Sequence, residues 1–109
     1  MKVHDVKIYE SYADAVLSGE KTFEIRYNDR GYQKGDRLKF KVVENDHPIF
    51  IIWHDLNDRE YEITYVHSGL GMKEGYVALA IKAVEEGGGM KASEAASVLY
   101  MLADTVRAY

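Results

Sequence analysis

The chain has 109 residues, 14 Lys plus Arg against 18 Asp plus Glu, a formal net charge of -4 and no cysteine. These figures describe one soluble globular domain. They exclude disulfides, Cys-zinc sites and thiol catalysis, and they argue against a protein that coats nucleic acid by bulk charge. No apolar run nears the roughly 20 residues of a membrane span, and no signal-peptide core follows Met1. The expected setting is cytoplasmic, with no membrane partner.

Val3 to Tyr9 reads as a first strand, with Val6 and Ile8 turned inward. A helix over 12–18 follows, opened at Glu10 or Ser11, with Tyr12, Ala15 and Val16 as its apolar face and Gly19 as its C-cap. Thr22 to Tyr27 alternates. A strand that buries Phe23, Ile25 and Tyr27 presents Thr22, Glu24 and Arg26 on its other face. Turn residues lead to a strand over Arg37 to Glu44, and the apolar run Ile49 to Trp53 predicts another, with Trp53 in the core. Tyr61 to His67 is a further strand, with Tyr61, Ile63 and Tyr65 on one face. Tyr76 to Ala83 is the last, with Val77, Leu79 and Ile81 on one face. The fold class is therefore α+β, mainly β: a small barrel with a short helix after its first strand.

Three segments are expected: a barrel domain over 1–84, a Gly-rich linker over 85–91 and an amphipathic helix over 92–109. The apolar stripe Ala95, Leu99, Leu102, Val106 and Tyr109 of that helix either packs on the barrel or forms a homodimer contact.

The densest polar cluster runs from Gly19 to Arg30. A cation and a carboxylate on one strand face can grip a base edge, a ribose or a phosphate, and Arg26 can do so bidentately. The plainer alternative is a solvated face with cross-strand ion pairs. The four histidines have no metal-ligand spacing, so neither a metal nor a cofactor is expected. Gly19-Glu20-Lys21-Thr22 lacks the adjacent Gly-Lys of a phosphate loop, and Gly69-Leu70-Gly71 lacks the third glycine of a dinucleotide loop. His4 is a candidate cleft residue. With 9 tyrosines in so small a domain, some rings must lie at the surface or line a cleft; Tyr27, Tyr32 and Tyr76 are the stacking candidates.

Gly19, Lys21, Glu24 and Arg26 spell Gly-x-Lys-x-x-Glu-x-Arg, and here the chain resembles ASCH domains of the PUA-like superfamily. The likeness is closest to a branch found in phage and bacterial genomes. It extends through His4, Lys7, the run Lys21 to Arg30, Gly35-Asp36 and the Gly75-Tyr76-Val77 strand start, over about residues 3–83. The resemblance implies a PUA-like β-barrel with a cleft between barrel and helix, and recognition of RNA or a modified nucleotide. The implied ligand-binding positions are Lys21, Glu24 and Arg26, with His4, Asn28 and Arg30 nearby; Thr22 and Tyr76 complete the candidate set.

A second ASCH branch consists of small amidohydrolases that deacylate acylated cytidine with a Lys, a Thr three residues later and a distant Glu. Lys21 matches, but the Thr position holds Glu24, and a carboxylate does not replace a hydroxyl nucleophile. An enzyme built here would use Lys21 and Glu24 as acid and base. A third reading is a phage-type interaction or regulatory protein that assembles through its C-terminal helix. Charge is unevenly spread: nine basic against seven acidic residues up to Lys41, five against eleven beyond it. That distribution favours a small specific cleft in the first half.

Overall fold

The computed structural model describes residues 1–85. Most of the expected linker, and the expected C-terminal helix with its homodimer contact, lie outside the described residues. The elements are β1 (Val3–Tyr9), α1 (Glu10–Ser18), β2 (Phe23–Tyr27), β3 (Arg37–Val43), β4 (Glu60–His67) and β5 (Tyr76–Ala83). They form one sheet in the order β1-β3-β4-β5-β2. The β1–β3 pair is parallel and the others antiparallel. The class is mainly-β α+β: a curled mixed sheet, half of a barrel, with one short helix after β1.

Alternation sets the core. Leu38, Phe40 and Val42 of β3, Ile63 of β4 and Leu79 of β5 have no exposed surface, and Val6 and Ile8 of β1 join them. At about 25 cal/mol per Å² of apolar surface, this inner layer is the main favourable contribution to folding. Helix α1 closes one end through Ala13 and Val16. Its buried face is shifted from the expected one, which leaves Tyr12 half exposed. The helix has no side-chain N-cap; instead Asn45 Oδ1 accepts from the Ser11 amide at 3.2 Å.

The two edge strands, β1 and β2, face each other without a ladder. Arginines span the seam: Arg26 Nη1 donates to the Lys7 carbonyl at 2.9 Å, and Arg30 Nη1 donates to the Asp5 carbonyl. Strand backbones need partners for their polar groups. Here guanidinium groups satisfy two carbonyls that a neighbouring strand would otherwise take.

Three expectations are corrected. The run from Ile49 to Trp53 is a loop, joined to the sheet by one bridge between Val43 and Ile51; Trp53 is 81% exposed. Ile52 N donates to Val42 O at 2.9 Å, but the ladder stops there because the Asn57 side chain stands between the two chains: its Oδ1 accepts from Val42 N and its Nδ2 donates to Ile52 O, each at 2.7 Å. Tyr65 points outward because a register shift between Ile63 and Tyr65 reverses the alternation. Tyr32, a stacking candidate, is buried in the core, its ring edge-on to His4 at 4.8 Å.

Candidate functional site

The site begins at the end of α1. Gly19 adopts a left-handed conformation, φ 87°, and its amide caps the Val16 carbonyl. Lys21 N then donates to Ala15 O at 2.9 Å. The chain is thereby folded back so that the Lys21 side chain lies beside Tyr12 and enters β2.

Strand β2 is inverted relative to the expected burial. Glu24 is 4% exposed, whereas Phe23, Ile25 and Tyr27 are 45%, 55% and 57% exposed. Register explains it: Glu24 and Arg26 stand opposite Leu79 and Val77, and those two belong to the inner face of β5. Period-2 alternation defines two faces but does not say which is inside. On this edge strand the inner face is the polar one, because it lines the seam.

A buried carboxylate needs partners, and Glu24 has two. Lys21 Nζ donates to its Oε1 at 2.5 Å, and Arg26 Nη1 to its Oε2 at 3.2 Å. Lys21 also donates to the Phe23 carbonyl at 2.6 Å, and its ammonium lies 4.7 Å from the Phe23 ring centre and 5.3 Å from that of Tyr12. These contacts hold the lysine in one place. One of its three N–H donors remains uncommitted among the described residues.

A cavity of about 560 Å³ opens on this triad. Lys7, Lys21 and Arg26 contribute three cations against the single carboxylate of Glu24, and Tyr9 and Tyr12 contribute aromatic walls. The volume lies within the usual range for small-molecule sites. The arrangement can accept donors at a carboxylate, hold an anion and stack a flat ring. Among the described residues no group of three or more His, Cys, Asp or Glu could hold a metal ion.

The remaining candidates are dispersed. His4 is buried and pairs through Nε2 with Asp36 Oδ2 at 2.9 Å. Asp36 also accepts from the Lys2 and Gln33 amides. The His4 hydrogen bond, reinforced by those amides and opposed by burial, holds the Asp36 carboxyl below its ordinary range. Neither residue lines the cavity. The Thr22 carbonyl accepts from Ile81 N at 3.0 Å, and its side chain is exposed outside the cavity. Arg30 lies on the seam, while Asn28 and Tyr76 line a second cavity of about 550 Å³ at the other end of β2. Sequence reasoning missed Tyr9 and Tyr12 as cavity walls. The surplus of tyrosines was their only signal, because the helix face that leaves Tyr12 free is chosen by packing.

Residues 3–81 match the family described as Domain of unknown function (DUF3850), and the chain belongs to that family. Over 37 residues it is 49% identical to the "Uncharacterized 12.9 kDa protein in GpA 3'region" of Escherichia phage P2. The match covers 34% of this chain and 34% of the phage protein. Among the described residues no helix is long and apolar enough to cross a membrane.

Proposed function

We propose that the cavity beside Glu24 binds RNA or a modified nucleotide, and that the half-barrel is an ASCH-type member of the PUA-like superfamily acting as a cytoplasmic recognition module. One observation carries this reading: a buried carboxylate, clamped by Lys21 and Arg26, at the back of a cavity with aromatic walls. A carboxylate accepts from the amino group of a base such as cytosine. Tyrosine rings stack on base faces, and the cationic excess suits a phosphate. The clamp also orients Glu24 before the ligand arrives, which lowers the ordering cost of binding.

The amidohydrolase reading has less support. Hydrolysis through an acyl-enzyme needs a nucleophile within hydrogen-bond reach of a base. Among the described residues no Ser or Thr lines this cavity.

Calorimetric titration of the full chain with nucleosides, nucleoside monophosphates and short RNAs at low salt tests the proposal. Binding is expected, with at least a tenfold loss in Glu24→Gln and Arg26→Ala, about 1.4 kcal/mol or more. Absence of binding across the panel overturns it. Incubation with acetylcytidine, followed by chromatography, separates the hydrolase reading: release of cytidine would establish it.

A further inference from the structure

We infer that the ligand is a single-stranded nucleic acid of at least two nucleotides, with one base in the Glu24 cavity and its neighbour at the Tyr27–Tyr76 cavity. This inference rests on the nucleotide-binding reading above and extends it to a second subsite.

The second cavity has the features of a stacking site. Tyr27 and Tyr76 stand opposite each other in the β2–β5 ladder, their rings edge to face at 5.4 Å between centres. Tyr27 is more than half exposed. Lys73 Nζ lies 5.7 Å from the Tyr76 ring centre, placing a cation at the rim. Gly75 makes the arrangement fit: a Cβ there would lie 2.7 Å from Tyr27 Cε1, and its φ of +87° is unfavourable for other residues. Asn28 spends its Oδ1 on the Tyr32 amide, which orients its amide; its NH₂ donors are uncommitted among the described residues. Glu74 also lines this cavity, but no cation clamps it among the described residues, so the tyrosine pair stacks a base without a fixed carboxylate to read its edge, as sequence-tolerant single-strand sites do.

The spacing suits adjacent nucleotides whose bases are splayed apart rather than stacked on each other. From Phe23, at the first cavity, to Tyr27, at the second, the strand advances roughly 13 Å at about 3.3 Å per residue. Between them lies the seam with Arg26 and Arg30. Their targets on β1, the Lys7 and Asp5 carbonyls, are two residues apart. Each arginine uses only Nη1 in these contacts, so Nε and Nη2 remain to meet a phosphodiester bridging the two bases. A mononucleotide fills only one of the two cavities.

The test compares the full chain binding cytidine monophosphate, the dinucleotide CpC and five-residue oligocytidylates in ribo and deoxy form, by titration at fixed low salt. The dinucleotide is expected to bind at least tenfold tighter than the monophosphate. Tyr76→Ala should remove that increment, roughly 5- to 150-fold for one stacked base. Lys73→Ala, on the exposed loop, should weaken the dinucleotide alone and guards against misfolding of the strand variant. Equal affinity for mono- and dinucleotide, or a dinucleotide affinity indifferent to both variants, overturns the second subsite and leaves the first reading standing. No binding of any probe overturns the nucleotide reading itself. The ribo and deoxy arms decide which sugar the track takes.

Discussion

Among the described residues two carboxylates are buried, and they are buried differently. Asp36 is held by the His4 ring and by the backbone amides of Lys2 and Gln33. Glu24 is held by two side-chain cations at the back of a cavity. Backbone donors are fixed by the fold, so the Asp36 cluster ties the start of β1 to the turn before β3. Side-chain cations on a cavity wall can exchange one partner for another, so the Glu24 clamp can take part in recognition. Burial of a charge therefore does not distinguish structure from function; the nature of its partners does.

The sharpest way to break this comparison is Asp36→Ala. It removes the acceptor of two amides and of His4, and it should cost about 3 kcal/mol, the usual scale for losing a buried, hydrogen-bonded charge. The unfolding midpoint in urea measures it, and affinity per folded molecule should not change. Glu24→Gln is the opposite case. It keeps the shape and one acceptor but takes the counter-charge from Lys21 and Arg26, whose side chains are mostly covered, so it should cost about 2 kcal/mol, while nucleotide binding falls at least tenfold. An equal loss of binding per folded molecule in the two variants would erase the distinction.

Acidity sharpens the same contrast. The folded Asp36 carboxyl lies below its ordinary range, so its contribution to stability is fully present above about pH 4, the unfolded value. It fades as pH falls through the lower folded value. Unfolding curves taken from pH 5 downward should show this loss in the wild type, and Asp36→Asn should flatten that part of the profile. The smallest effect concerns the outer face of β2. Ile25→Thr alters a residue more than half exposed and should change stability by no more than about 0.5 kcal/mol. A loss of 2 kcal/mol or more, on the scale of a core truncation, would show that this face is covered in the folded chain.

The strands β1, β3 and β5 and the Gly19 cap were readable from residue order alone, because alternation and turn chemistry are local. So was the polar character of one face of β2. What failed has a common origin. The exposure of Phe23, Ile25 and Tyr27, the loop at Ile49 to Trp53 and the outward turn of Tyr65 all depend on neighbours distant in the chain. For β2 the neighbour is β5 on one side and the open seam on the other. For the loop it is Asn57, whose side chain takes up the end of β3. For Tyr65 it is the register shift in the pairing of β4 with β5.

Residue order settled that this chain carries Glu24 and Arg26 on one strand face, with Lys21 at the junction between a capped helix and that strand, and with too few cations for bulk electrostatic binding. Tertiary structure decided that this face lies inside, that Tyr9 and Tyr12 wall the cavity, and that Asn28 and Tyr76 serve a second cavity. The physical reason is that periodicity specifies which side chains share a face, whereas the curl of the sheet and the placement of its two edge strands specify what each face meets.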